Sequence, residues 1–143
     1  MRDMAWAVVT GAGSGLGAAI ARHAAKAGYR VAVWDLDGDA AEAVASGIGE
    51  GAVAHQVDVT SGESLDAAFA ALPEAPSLLV NNAGIVRFGP LLELPEADWR
   101  SVVDVNLTGT FLTSRVAAAL MIAAGGGVIV NISSVNGISA APN

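Results

Sequence analysis

The sequence contains no cysteine, and only 15% of its 143 residues are charged. The absence of cysteine excludes a disulfide scaffold and thiolate sites for metals or redox chemistry, and it fits a cytoplasmic protein. Seven basic residues against 14 acidic ones give a formal net charge of −7. This balance argues against nucleic acid as a partner, because nucleic-acid-binding domains present a basic patch. The charged fraction is well below the ~25% typical of soluble domains, so we expect that something covers much of the surface or that part of the protein is missing.

Hydrophobic residues make up 53% of the sequence, which excludes a disordered chain, and the length suits one domain with its own core. No targeting or membrane segment is expected. The first four residues run directly into a short apolar stretch without the features of a signal peptide. The uncharged stretch 116–130 is shorter than the ~20 residues that a membrane span needs, and glycines at 125–127 interrupt it.

Short apolar runs alternate with stretches of helical periodicity. The runs cover residues 5–9, 31–34, 52–57, 78–80 and 128–132. Continuous apolar strands joined by helical crossovers are typical of a parallel sheet covered on both faces. The sequence therefore predicts an α/β fold.

Four apolar residues define one face of the first predicted helix: Leu16, Ile20, Ala24 and Ala27, with Gly28 ending it. A weaker helix is expected at 40–45. Thr60 and Glu63 are spaced as a capping box for the helix after the third strand. Pro95 suits the first turn of a later helix, and a break is expected near Asn106, because its side chain competes for backbone hydrogen bonds.

A glycine-rich turn, Thr10–Gly17, lies between the first strand and the first helix. Glycine accepts positive φ, and without a Cβ the backbone can closely approach a pyrophosphate. The helix that follows offers free N–H groups and a partial positive charge to the phosphates. A glycine cluster alone indicates only a tight turn, but this strand–turn–helix context favours a dinucleotide-binding site.

Asp35 ends the second strand, 20 positions after Gly15. A carboxylate there can accept hydrogen bonds from the adenosine ribose hydroxyls. A 2′-phosphate, with a charge of about −1.5 to −2, would be repelled by it. The turn contains no basic residue and Leu36 follows Asp35, so the sequence predicts NAD rather than NADP as the cofactor. A solvated aspartate at a strand end is the alternative.

Four further motifs follow in order: Asp58-Val59, Asn81–Gly84, Asn106 within the segment 105–109, and Ile132–Ser134. Together with the glycine turn they resemble the short-chain dehydrogenase/reductase family over nearly the whole chain. The resemblance implies a Rossmann-type doubly wound parallel sheet of strand order 3-2-1-4-5, with strands 6 and 7 of the family absent here. It also implies hydride transfer between NAD(H) and an alcohol/carbonyl substrate.

The same resemblance implies roles for individual residues. Asp58 would accept a hydrogen bond from the adenine amino group with Val59 near the ring; a charge at a helix N-terminus is the alternative for Asp58. Asn82 would bond the ribose or the sheet backbone, while Asn81 is interpreted as structural. The complete predicted set of cofactor-binding residues is Gly11, Ser14, Gly15, Leu16, Gly17, Asp35, Leu36, Asp58, Val59, Asn82, Ala83 and Gly84.

Two residues are implied to be catalytic. Ser134, with Ser133 as the fallback, would donate a hydrogen bond to the substrate oxygen, where charge develops during hydride transfer. Asn106 would form a kink that holds a water in a proton relay; a helix boundary is the alternative. Neither His23 nor His55 has a motif around it, so no catalytic role and no metal site is predicted.

The family's mechanism also uses a tyrosine as general acid/base and a lysine four residues later, which would fall at positions 147 and 151, beyond Asn143. The only tyrosine is Tyr29 and the only lysine is Lys26, both far from the catalytic motif in the sequence. We therefore expect residues 1–143 to form a single NAD-binding domain, truncated before the tyrosine and inactive alone, in a protein that is a homodimer or homotetramer.

Three alternatives remain open at this point. The chain could be a non-catalytic NAD-binding module, or an epimerase or dehydratase of the related extended branch, although Ser14 stands where that branch usually has glycine. The helix around 108–124 could serve mainly to contact a neighbouring subunit. The substrate stays undefined between 3-oxoacyl or 3-hydroxyacyl compounds and polyols, because fold-level analogy does not specify it.

Overall fold

The computed structural model describes residues 5–135, which form a five-stranded parallel sheet of order β3-β2-β1-β4-β5. All four strand pairings are parallel. The predicted fold class and strand order are confirmed. The strands are β1 Trp6–Thr10, β2 Arg30–Asp35, β3 Ala52–Gln56, β4 Pro76–Asn81 and β5 Val128–Asn131.

Helices cover both faces of this sheet, which is why the strand sequences are continuously apolar. The helices are α1 Gly15–Lys26, α2 Gly38–Ile48, α3 Gly62–Ala70, α4 Glu96–Val103 and α5 Thr110–Ala123. Trp34 and Leu79 belong to the core layer beneath α3 and α5. Val9 and Val33 belong to the layer beneath α1 and α2. β1 lies at the centre, and all five of its residues are buried.

The buried face of α1 differs from the expected one. Leu16 is 59% exposed, whereas Gly17, Ala18, Ala21 and Ala24 are buried. A Cβ added to Gly17 would collide with a backbone carbonyl of the preceding turn. The small residues let α1 approach the sheet more closely than a leucine face would permit, so side-chain size rather than hydrophobicity sets the orientation of this helix.

The capping box predicted from Thr60 and Glu63 is wrong by one residue. Ser61 is the N-cap of α3, and its Oγ accepts a hydrogen bond from the Ser64 amide at 3.2 Å. Thr60 instead donates its amide and its hydroxyl to Asp58 Oδ1, at 2.9 and 2.6 Å. Asp58, two residues after β3, thus binds Thr60, the residue that the sequence pattern assigned to the cap of the helix.

The break predicted near Asn106 is confirmed, and it takes the form of a π-helical segment, Asp104–Gly109, between α4 and α5. Pro95 precedes α4 as its N-cap rather than lying in the first turn. The continuous helical run Glu96–Ala123 is long and apolar enough to cross a membrane by length and composition alone. A helix that packs on a sheet meets the same criteria, and Ala117 and Met121 of this run are buried against the core.

Candidate functional site

A cleft of about 430 Å³ lies at the carboxyl ends of β1 to β4. Because the strands are parallel, the turns that follow them meet at one edge of the sheet. The twelve residues predicted to bind a cofactor all line this cleft, and the structure adds four apolar ones. The lining consists of Gly11, Ser14, Gly15, Leu16, Gly17, Trp34, Asp35, Leu36, Val57, Asp58, Val59, Asn82, Ala83, Gly84, Ile85 and Val105.

The glycine turn closes tightly over the end of β4. Gly11 has a φ of +61°, and a Cβ on it would lie 2.8 Å from the Ala83 Cα. Gly15 has a φ of +52°, a conformation that side chains other than glycine rarely adopt. The turn therefore requires glycine at Gly11 for both space and conformation, and at Gly15 for conformation.

The N-terminus of α1 opens into the cleft. Ser14 is its N-cap in an extended conformation, and its side chain makes no capping hydrogen bond within residues 5–135. The first turn of this helix contains no acidic residue. The unpaired N–H groups and the positive end of the helix dipole are thus available to a phosphate, as helix N-termini in dinucleotide-binding folds are.

Asp35 lies beside this turn at the end of β2. Its Oδ2 accepts a hydrogen bond from the Gly13 amide at 2.8 Å, and its Oδ1 accepts one from the Asp37 amide at 3.0 Å. Each carboxylate oxygen has more than one lone pair, so capacity remains for the hydroxyls of a ribose. The carboxylate is held at the cleft before any ligand arrives.

The segment that follows β3 contributes Asp58 and Val59 to the cleft. Asp58 Oδ1 accepts both bonds from Thr60, and the Asp58 amide donates to Ser64 Oγ at 3.0 Å. Val59 is buried, and its Cγ2 would lie 2.7 Å from a Cβ added at Gly109. Asp58 therefore organises the turn into α3, consistent with the helix-terminus alternative, while its carboxylate also borders the cleft.

The two asparagines after β4 have different tasks. Asn82 Nδ2 donates to the carbonyl oxygens of Thr10 and Gly11, at 3.1 and 3.0 Å, and thereby ties the glycine turn to β4. Asn81 Nδ2 donates to Ser114 Oγ and Asn131 Oδ1, both at 2.8 Å, which links β4 to α5 and β5. Of the two options open for Asn82, the structure has the bond to the sheet backbone. The structural interpretation of Asn81 agrees with its contacts.

The two residues predicted to be catalytic lie outside the cleft lining. Asn106 pairs with the backbone of Ile85: its Oδ1 accepts from the Ile85 amide at 2.8 Å and its Nδ2 donates to the Ile85 carbonyl at 2.9 Å. This pair holds the loop after β4 against the π-helical segment. Ser134 is exposed just beyond β5, the strand next to β4. Their catalytic roles stay predictions.

The histidines are elsewhere. His23 is on the exposed side of α1, where its Nδ1 lies 2.9 Å from the Ala19 carbonyl oxygen. His55 is on β3, and burial lowers the pKa of its imidazole below the ordinary 6.5. Among the described residues, no cluster of histidine and acidic side chains could hold a metal ion.

The four lining residues absent from the predicted set are apolar neighbours of the motifs. Trp34 and Val57 directly precede Asp35 and Asp58, and Ile85 follows Gly84. Trp34 is fully buried, and its Nε1 has no hydrogen-bond partner in the part of the chain that the structure describes. In the sequence, only their position next to a motif indicates that these residues line the cleft. Apolar residues at strand ends are ordinarily assigned to the hydrophobic core.

A parallel sheet with a glycine turn after β1, an acidic residue ending β2 and a cleft across its carboxyl edge defines a Rossmann-type nucleotide-binding fold. The sequence matches the short chain dehydrogenase family over residues 5–143. The chain belongs to that family, whose members are oxidoreductases that bind NAD or NADP.

Curated relatives and solved structures agree with this. The chain is 43% identical to D-threitol dehydrogenase of Mycolicibacterium smegmatis, covering 90% of this chain and 52% of that protein. It is 43% identical to (3R)-3-hydroxyacyl-CoA dehydrogenase of Mus musculus, covering 93% of this chain and 57% of that protein. A crystal structure provisionally named gluconate dehydrogenase, from Agrobacterium tumefaciens, superposes with a TM-score of 0.90 at 40% identity, covering 96% of this chain and 56% of the other. The chain thus spans about half the length of the relatives it matches.

Proposed function

We propose that the complete protein is an NAD-dependent dehydrogenase that moves a hydride between NAD(H) and an alcohol/carbonyl pair. The observation that carries the choice of cofactor is the charge of the cleft. Its charged side chains are Asp35 and Asp58, and none of the described residues that line it is basic. A cleft of this kind suits a dinucleotide whose adenosine ribose carries hydroxyls rather than a phosphate.

The residues present fit the adenosine and pyrophosphate parts of NAD. Asp58 and Val59 would border the adenine, and Asp35 would accept bonds from the ribose hydroxyls. The N-terminus of α1, from Ser14 to Gly17, would receive the pyrophosphate. NAD, when bound, supplies the nicotinamide that accepts or donates the hydride.

Each hydrogen bond from a ribose hydroxyl to the Asp35 carboxylate contributes about 1.5–3 kcal/mol, because the acceptor is charged. A 2′-phosphate would forfeit such bonds and place about −1.5 to −2 charges beside the carboxylate. Because the described residues that line the cleft include no arginine or lysine to offset that repulsion, we expect NADP to bind at least tenfold more weakly than NAD, since about 1.4 kcal/mol corresponds to a factor of ten.

For the chemical step, we propose that Ser134 donates a hydrogen bond to the reacting oxygen and that Asn106 supports a relay water. A tyrosine–lysine pair elsewhere in the complete protein would complete this arrangement. Two relatives are named for a polyol and for a hydroxyacyl thioester, and we propose a secondary alcohol of one of these classes as the substrate.

We further propose one nucleotide-binding domain over 1–143, a cytoplasmic location and a homodimer or homotetramer.

The experiment is a titration of the complete protein with NAD and with NADP, in the wild type and in Asp35→Ala. We expect wild type to prefer NAD by at least tenfold and Asp35→Ala to lose most of that preference through weaker NAD binding. A wild type that binds NADP as tightly as NAD would contradict the proposal.

A second candidate function is a nucleotide-holding module without chemistry. It is favoured by one observation: among the described residues, the cleft lining runs from Gly11 to Val105 and includes neither Asn106 nor Ser134. Both candidates bind NAD, so only turnover separates them.

A further inference from the structure

The Asp35 carboxylate belongs to a short network of backbone contacts. The Gly13 amide donates to Asp35 Oδ2 at 2.8 Å and the Asp37 amide donates to Asp35 Oδ1 at 3.0 Å. Asp37 Oδ1 in turn accepts from the Ala40 amide at 3.0 Å, which caps α2. The glycine turn, the ribose-side carboxylate and the N-terminus of α2 are therefore joined in one chain of bonds.

Gly13 has no room for a side chain in this network. A Cβ at this position would lie 2.9 Å from Asp35 Cγ, from Asp35 Oδ2 and from the Ala40 Cβ. Gly13 is not among the glycines with positive φ, so the requirement is one of space and not of backbone conformation. An alanine would force either the carboxylate or the first turn of α2 to move.

The carboxylate is the part that can move more easily. The first turn of α2 is fixed by the cap that Asp37 makes to Ala40 and by Ala41, which is fully buried against the sheet. Asp35, in contrast, can turn about its side-chain torsions once the Gly13 contact is crowded. A side chain at Gly13 would thus displace the Asp35 carboxylate, which we expect to accept hydrogen bonds from the ribose hydroxyls.

We propose that Gly13 is a positioning residue for cofactor choice. Because it has no side chain, its amide can hold the Asp35 carboxylate in the orientation that accepts the ribose hydroxyls. This inference rests on the proposed preference for NAD. Gly13 is not in the predicted set of cofactor-binding residues, so the sequence pattern gives this glycine no role of its own.

The test is a double-mutant cycle in the complete protein, with dissociation constants for NAD and NADP measured for wild type, Gly13→Ala, Asp35→Ala and the double variant. We expect Gly13→Ala to reduce the preference for NAD about tenfold, the size of one lost bond to a charged acceptor. In the Asp35→Ala background the same change should alter the preference by less than about twofold, because the group it acts through is gone. Gly47→Ala is the matched control: an added Cβ there meets no atom within 4 Å, and the preference should not change.

Three results of the cycle would overturn the inference. The first is a Gly13→Ala protein in which the affinities for NAD and for NADP fall by the same factor, because that would be general damage to the turn. The second is a full effect of Gly13→Ala in the absence of Asp35, and the third is an unchanged preference for NAD in Gly13→Ala. If wild type itself does not prefer NAD, the proposed function fails first; if wild type and Asp35→Ala behave as proposed but Gly13→Ala keeps the preference, this inference alone fails.

Amide hydrogen exchange gives a second measurement that does not depend on the folding of Gly13→Ala. In the free wild-type protein the Gly13 amide should exchange slowly because it is bonded to the carboxylate, and in Asp35→Ala it should exchange at least tenfold faster. Equal exchange rates in the two proteins would refute the contact on which the proposal depends.

Discussion

Removing the Asn82 side chain should break the hydrogen bonds that connect the end of β4 to the glycine turn. In Asn82→Ala the carbonyl oxygens of Thr10 and Gly11 each lose a partner, at 3.1 and 3.0 Å. Each neutral hydrogen bond contributes about 0.5–1.5 kcal/mol, so the free energy of unfolding should fall by about 1–3 kcal/mol. The turn that positions the N-terminus of α1 would also loosen, and we expect dinucleotide affinity to fall at least tenfold, equivalent to about 1.4 kcal/mol.

Asn81→Ala is the matched control. It removes two bonds of similar length, but these join β4 to Ser114 and Asn131, and Asn81 does not line the cleft. We expect a comparable loss of stability in urea denaturation with little change in NAD affinity, measured by calorimetric titration at a temperature where both variants are folded. If Asn82→Ala bound NAD as wild type does, or if Asn81→Ala lost as much affinity, Asn82 would not be holding the binding turn.

Two further outcomes are expected. Burial lowers the pKa of His55 in the folded protein below 6.5, so the unfolded chain binds more protons as the pH falls below 6.5 and stability should decrease there. His55→Gln should flatten this dependence in urea denaturation between pH 7.5 and 5.5, and an unchanged slope would mean that another group causes it. A protein of residues 1–143 alone should bind NAD without oxidising an alcohol, because its only tyrosine lies outside the cleft; NAD reduction by that purified chain, monitored at 340 nm, would contradict this.

The strands and the residues that line the cleft could be predicted from the sequence because both depend on local patterns. Continuous apolar runs indicate strands buried on both faces, and the glycine turn, Asp35 and the residues after β4 each directly follow such a run. In a parallel sheet, residues that follow the strands come together at one edge, whatever the details of packing. For this reason all twelve predicted cofactor residues line one cleft.

The errors arose where tertiary contacts override local patterns. The apolar periodicity predicts Leu16 on the packed face of α1, but the close approach of that helix to the turn favours glycine and alanine there. The spacing of Thr60 fits a capping box, but its amide and hydroxyl both donate to Asp58 Oδ1 instead. The sequence pattern does not single out Gly13, because the lack of space for a side chain there comes from Asp35, 22 residues away in the sequence. No periodicity or short motif can report a contact of that kind.

The hydroxyl of Thr10 has a consequence for how the sheet divides. β1 and β4 are neighbours, but the chain leaves β1 towards one face and β4 towards the other, so this is the topological switch point of the sheet. Where the backbone ladder between them stops, Thr10 Oγ1 accepts the amides of Asn82 and Ala83, at 3.1 and 3.0 Å. Together with the Asn82 side chain, the buried Thr10 hydroxyl thus holds the two strand ends together at the place where the crevice opens. Valine has nearly the same shape but cannot accept a hydrogen bond, so it would leave the amides of Asn82 and Ala83 without this partner.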